Sequence, residues 1–354
     1  MKRRFAKSKD MIDGEVNGTD VLYIGADVHE RETQLAIFEP GGTLLQEKRI
    51  PTKDLQSFVQ SLPAKEKHLA LESLGFIYPL YDKLKQVPGC DVAVANPKRI
   101  RQTSDSKQKH DRADAKLLGN LIRTNFLKRS HMSDAETREK RFLINDRVKY
   151  GLRKSELRGA IRWLLKRRGI EIEQDPFSRE GRRKLREEVA LQEINIRLQE
   201  LELVESIVEK LDRQIIHVVA GEEKAKLLDT LPGIAPYTAL FLSSALDNVD
   251  RFPDSKHACA YLGLVPSLHQ SGDATFTGHI TRDGNKFLRR NLVECARAAV
   301  RKDPHLRKFY LRLKHKRGER KALIAVARKM VSYAFWMLNH RQRSSRSVLH
   351  PLAK

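Results

Sequence analysis

The apolar pattern changes character along the chain. Residues 1–20 are polar and charged, with Gly14 and Gly18 among them, which reads as a mobile leader. From Val21 onward, short apolar runs alternate with turn signals. Val21–Gly25, Thr33–Phe38 and Leu44–Ile50 have the length and composition of strands, and Gly41-Gly42 supplies a hairpin turn before the third. Next come a helix over Thr52–Ser61, a strand at 68–72, a helix at 76–86 and a strand at Asp91–Ala95. Three meander strands, then alternating helix and strand, describe a mixed α/β sheet covered on its faces.

From Arg138 to Ala220 proline and glycine are few outside 169–181, and the apolar period becomes helical. Ile194, Leu198, Leu201, Val204, Val208, Leu211, Ile215 and Val218 are spaced by three and four almost throughout, which predicts a long amphipathic helix. Its apolar seam suits either a coiled-coil partner helix or helix 140–168 of the same chain folding back. A continuous helix from Glu187 to Val218 would span on the order of 45 Å. If it does not double back, it carries the third region away from the first.

That third region opens with Leu231-Pro232-Gly233-Ile234 before an apolar helix at 236–246. It reads either as a helix-hairpin-helix turn offering backbone N–H groups to phosphate or as an ordinary packing unit. Between Tyr261 and Asn285 glycine and hydroxyl residues predict an exposed, bent loop. Phe287, Leu288, Leu292, Ala296 and Ala299 return to helical spacing. The partition is a leader at 1–20, an α/β domain at 21–135, a helical arm at 136–222, a mainly α domain at 223–345 and a tail at 346–354.

Charge narrows the function. Lys and Arg number 68 against 45 Asp and Glu, a net charge of +23. A chain this basic is drawn to polyphosphate. The first residues lack the apolar stretch of a signal peptide and no run is long enough to cross a bilayer, so nucleic acid leads over membrane. The surplus is local: 14 basic against 6 acidic residues between Arg147 and Glu187, and 19 against 3 between Lys286 and Arg346. The second, on helices, is the electrostatic footprint of a nucleic-acid surface. Cys90, Cys259 and Cys295 are too few and scattered for a disulfide framework or zinc knuckle and read as small buried residues of a cytoplasmic protein.

Candidate chemistry centres on Asp111 and Asp114, three residues apart at the start of a predicted helix and so on one face. Alone they could be charges capping the helix dipole. Asp27 and Glu72 each end a short apolar run that reads as a buried strand. Two strand-end carboxylates and a helical pair can assemble a divalent-metal site for phosphoryl transfer. Lys98, Arg99 and Arg101 lie between the last strand and Asp111, either as a solvated loop or as a phosphate clamp.

These segments resemble the DEDD-type transposases of insertion sequences, the group that includes the pilin-gene-inverting recombinases. The likeness runs from about Val21 to His340 and rests on Gly25-Ala26-Asp27-Val28-His29, Leu71-Glu72-Ser73, Asn96-Pro97-Lys98 and Asp111-Arg112-Ala113-Asp114-Ala115 in the first half. In the second half it rests on Leu231-Pro232-Gly233-Ile234, Arg251-Phe252, Tyr261–Pro266, Ser271-Gly272 and Gly284-Asn285 before Leu288-Arg289-Arg290. Lys109-His110-Asp111 departs from the family's usual Lys-Thr-Asp, and the loop around Ser271 is poorer in Arg and Lys than is usual there.

The resemblance implies a ribonuclease-H/RuvC-like first domain whose Asp27, Glu72, Asp111 and Asp114 bind one or two Mg²⁺ ions. It also implies a serine in the last domain acting with that tetrad; Ser271 matches, with Ser267 as runner-up. Arg282, Arg289 or Arg290 would neutralise the charge of the reacting phosphate. DNA, a structured guide RNA and further copies of the chain are the implied partners, in a prokaryotic cytoplasm at the nucleoid. The expected activity is DNA transposition or site-specific recombination through a composite metal-and-serine site, formed within one subunit or between two. A RuvC-like nuclease using water, and a nucleic-acid-binding scaffold without catalysis, are the alternatives.

Overall fold

The computed structural model describes residues 18–73, 75–96, 111–271, 274–281 and 284–342, with the backbone alone over 268–277. It divides into two compact units, Met1–Met132 and Ser133–Lys354.

The first unit is a five-stranded mixed sheet in the order β3-β2-β1-β4-β5. Its strands are β1 (Val21–Val28), β2 (Glu32–Phe38), β3 (Leu44–Pro51), β4 (Glu66–Glu72) and β5 (Cys90–Ala95). The β1–β2 and β2–β3 pairs are antiparallel, whereas β1–β4 and β4–β5 are parallel. The meander followed by parallel additions is what the apolar runs predict. On one face Leu22, Ile24, Ala26 and Val28 of β1 pack with Leu55 and Val59 of α1 (Leu55–Ser61) and with Ile77 and Leu84 of α2 (Ile77–Leu84). On the other lies α3 (Asp111–Arg123), and there the sheet offers small residues: Gly25, Ala36, Ala70, Ala93 and Ala95. Small side chains on the central strands let the helix axis approach the sheet.

The second unit is mainly helical. α4 (Ala135–Arg167) and α5 (Arg179–Lys184) precede α6 (Gln192–Gly221), and α4 and α6 form an antiparallel hairpin. The seam seen in the sequence is real, but its partner is the same chain: Ile194, Leu198, Leu201, Val204 and Val208 pack with Leu157, Ile161, Leu164 and Leu165. Arg147–Asp212 (2.6 Å), Arg153–Glu200 (2.5 Å) and Arg158–Glu205 (3.0 Å) bridge the two helices. The long helix begins at Gln192 rather than Glu187, because a π-helical stretch (Leu185–Val189) ends in a left-handed Ala190. The arm therefore doubles back on itself instead of running on as one continuous helix.

Beyond the arm come α7 (Glu223–Asp229), α8 (Pro236–Leu246), α9 (Ser255–Tyr261), β6 (Pro266–Ser271), β7 (Ala274–Ile280), α10 (Lys286–Lys302), α11 (Pro304–Arg317) and α12 (Glu319–His340). The helices share one core, with Leu240, Leu242, Leu292, Ala296, Val326 and Met330 inside it. Gly233 has φ +86°, and a Cβ there would fall 2.4 Å from the Cys295 carbonyl oxygen. Close packing on α10 is thus reason enough for that glycine, without a phosphate. The stretch expected as a bent loop is instead an antiparallel β-hairpin, with Leu268 opposite Thr277 and Ser271 opposite Ala274. Thr275-Phe276-Thr277 has strand propensity that the neighbouring glycines and serines obscured. Cys259 and Cys295 are buried, as expected, but Cys90 is only half-buried. Among the described residues no helix is long and apolar enough to cross a membrane.

Candidate carboxylate centre

The centre forms where strand ends meet the start of α3. Parallel pairing of β1 with β4 places Ala26 opposite Leu71, so Asp27 and Glu72 come next, side by side. Tyr23, Gly25 and Asp27 alternate onto the α3 face, where Tyr23 stacks on His68 of β4 at 5.0 Å. A Cβ on Gly25 would lie 1.9 Å from the Ala115 carbonyl oxygen and 2.3 Å from the Gly119 amide nitrogen. Only glycine admits the helix at this depth, and this contact sets the first turn of α3, with Asp111 and Asp114, over Asp27.

Asp27 is 5% exposed, whereas Glu72, Asp111 and Asp114 are half-buried. Burial pushes the Asp27 carboxyl up to about 6; His29 pulls it down, and the negative charges of Asp111, Asp114 and Glu72 push it up. Asp111, Asp114 and Glu72 are therefore each within electrostatic reach of Asp27. His29 Nε2 lies 3.3 Å from Asp27 Oδ2 and 3.6 Å from Asp111 Oδ2. Arg49 of β3 ion-pairs with Asp111 and lies 3.7 Å from Glu32. Beside it Lys116 pairs with the buried Glu47 at 3.1 Å.

Asp27, His29 and Asp111 each offer an atom within 4.8 Å of the others, a grouping able to hold a metal ion. Carboxylate oxygens suit a hard divalent cation. A buried carboxylate surrounded by three more acids is also costly to ionise without one. The residues therefore fit a divalent ion.

Two family models match. The DEDD transposase model of IS110, described as "Transposase", spans residues 24–167, and the one described as "Transposase IS116/IS110/IS902 family" spans residues 225–311. The chain belongs to the DEDD insertion-sequence transposases. The first match contains all four carboxylates, and the second contains the β6–β7 hairpin and most of α10 and α11. The transposase is 23% identical over 345 residues to the "Transposase for insertion sequence element IS1111A" of Coxiella burnetii, covering 92% of each chain. It is 33% identical to a "Probable family 20 transposase" of Pseudomonas aeruginosa over 29% of this chain and 30% of that one. A "Pilin gene-inverting protein" of Moraxella bovis is 29% identical over 38% of this chain and 44% of its own.

Of the other residues singled out in the transposase sequence, four are placed in the second unit. Ser271 ends β6, and Ser267 sits at an irregularity of the same strand. Arg290 is exposed at the start of α10; Arg289 is half-buried, with Nη1 3.5 Å from the Leu262 carbonyl oxygen. Lys98, Arg99, Arg101 and Arg282 lie outside the described residues. The two basic regions differ: many cations of the arm are spent on its own acids, as with Arg182, which pairs with Glu205 at 2.7 Å. On α11, Arg307, Lys308, Lys314 and Lys316 are exposed and make no ion pair among the described residues.

Sequence reasoning missed His29 and Arg49 as members of the centre. His29 was within reach, because Asp27-Val28-His29 puts both side chains on one side of a strand end. Arg49 gave no signal, since its part depends on the register of β3.

Proposed function

We propose that this transposase cleaves and rejoins DNA by phosphoryl transfer, with Asp27, Glu72, Asp111 and Asp114 holding one or two Mg²⁺ ions in a ribonuclease-H/RuvC-like domain. The observation that carries the reading is the buried Asp27 surrounded by the charges of Glu72, Asp111 and Asp114 at one end of the sheet. The strand order β3-β2-β1-β4-β5, with an acid on β1, on β4 and on a nearby helix, favours the RuvC-like assignment. A divalent ion held there would lower the pKa of an attacking hydroxyl and stabilise the leaving oxygen.

Ser271 is the proposed nucleophile. A serine hydroxyl attacks poorly until its proton is removed, so it has to act together with the carboxylates. Attack of Ser271 Oγ on phosphorus links the serine to one DNA end and releases a deoxyribose hydroxyl. In rejoining, a deoxyribose hydroxyl attacks that link and returns the serine. Arg290, exposed, neutralises backbone charge nearby, with Arg289 and Arg282 as further candidates. The DNA of the element ends and target, a structured RNA and further copies of the chain complete the proposed assembly, at work in the cytoplasm. The exposed basic side chains of α10 and α11 support nucleic acid as the partner.

The test uses the purified protein, its element DNA and the RNA transcribed beside the gene, with and without Mg²⁺. Asp111→Asn and Asp114→Asn abolish cleavage but still bind DNA; Ser271→Ala abolishes the covalent protein–DNA adduct. Cleavage without any adduct would make the protein a metal-dependent nuclease, and cleavage by the Asn variants would remove those acids from the site.

A further inference from the structure

Asp27 belongs to a row that crosses the sheet. It lies opposite Gln34 of β2, and Gln34 lies opposite Arg49 of β3, so three adjacent strands present these residues in line. Strands lie about 4.8 Å apart, which puts the Arg49 backbone roughly 10 Å from that of Asp27 on the edge strand. The Arg49 guanidinium reaches Asp111 at the start of α3, whose carboxylate offers an oxygen within 4.8 Å of one on Asp27. The other terminal nitrogen lies 3.7 Å from Glu32.

This pair is not a core strut. The Arg49 side chain is 44% exposed and that of Asp111 is 42% exposed. A solvated ion pair of this kind contributes little to stability. A carboxylate oxygen of Asp111 is also among the atoms grouped as possible metal donors, so Arg49 and a cation compete for one carboxylate. The planar fork of a guanidinium matches a phosphate as well as it matches a carboxylate. The His29 imidazole, which also lies beside Asp27 and Asp111, has no such fork.

We infer that Arg49 grips a non-bridging oxygen of the phosphodiester at this centre, and that Asp111 holds its guanidinium ready until DNA and cation arrive. In the structure Asp111 and Arg49 neutralise each other. A cation drawing on Asp111 weakens that pair and frees the guanidinium, and the phosphate restores the negative charge beside Arg49. Glu32, exposed and within reach, keeps the side chain near the sheet edge during the exchange. The inference rests on the proposed metal-dependent phosphoryl transfer, and its test separates the two.

Mn²⁺ is titrated into the full chain and monitored by electron paramagnetic resonance, with Asp27→Asn as reference. Single-turnover cleavage of a plasmid carrying the element is then measured at saturating Mg²⁺. Removing the competitor in Arg49→Ala raises Mn²⁺ affinity by about fivefold or more. The same variant cleaves about 10²-fold more slowly, as expected for loss of a donor to developing phosphate charge. Added guanidinium ion, well below denaturing concentration, restores part of the rate. Arg49→Lys, which keeps the charge and loses the fork, has an intermediate rate that guanidinium does not improve. Tight Mn²⁺ binding that is lost in Asp27→Asn, together with unaltered cleavage by Arg49→Ala or a slow rate that guanidinium leaves unchanged, overturns the role of Arg49 alone. Wild-type protein that binds Mn²⁺ no more tightly than Asp27→Asn overturns the metal-dependent reading, and the inference with it.

Discussion

Gly25→Ala is the substitution that most directly tests how the centre is built. The new Cβ would lie 1.9 Å from a backbone oxygen of α3, where ordinary contact begins at 3.4 Å, so the helix has to retreat by about 1.5 Å. The obstacle is backbone on both sides, so no side-chain rotation relieves it. Overpacking of this kind costs about 1–3 kcal/mol, or roughly 4 °C in melting temperature per kcal/mol for a unit of this size. The functional loss is larger, because the retreat carries Asp111 and Asp114 away from Asp27, and a misplacement near 1 Å costs about 10²-fold in rate. Thermal melting, Mn²⁺ titration and single-turnover cleavage are measured side by side. Ile37→Val serves as control: Ile37 is fully buried on the opposite face, and its loss costs about 1 kcal/mol without moving α3. It therefore melts lower and cleaves at the normal rate. Gly25→Ala protein that binds Mn²⁺ and cleaves like wild type would refute the claim that this contact positions the tetrad, and so would an equal loss of rate in Ile37→Val.

Electrostatics sets two further outcomes. Because the folded-state pKa of Asp27 is raised from 3.8 to about 6, the fold favours the protonated carboxyl; that stabilisation is present below about pH 3.8 and is lost as pH rises through about 6. In metal-free protein the loss is roughly 3 kcal/mol, at 1.36 kcal/mol per unit, so denaturant unfolding of wild type against Asp27→Asn shows a gap that widens from pH 4 to 7 and closes on adding Mg²⁺; a pH-independent gap would contradict the burial argument. On α10, Arg290→Gln flattens the log–log dependence of DNA affinity on salt by about 1, as one phosphate contact should; an unchanged slope would leave Arg290 to solvent.

Much of the first unit could be read from residues alone, because each strand there is short, apolar and set off by turn signals. The pairing of Asp111 with Asp114 was equally plain, since helical spacing is a local property. The long amphipathic seam of α6 was visible too, but not its partner: apolar side chains at helical spacing bury equally well against another copy or against α4 of the same chain. The β6–β7 hairpin escaped notice because strand pairing is non-local and the glycines and serines around it suit a loop as well. Arg49 shows the limit most clearly. That Asp27, Gln34 and Arg49 form one row depends on the registers of two strand pairs, and that Arg49 meets Asp111 depends on how deeply Gly25 and Gly119 let α3 settle on the sheet. Spacing along the chain decides which carboxylates share a strand end or a helix face. Distances between elements, and hence which charges compensate which, are decided only when the sheet and helix pack.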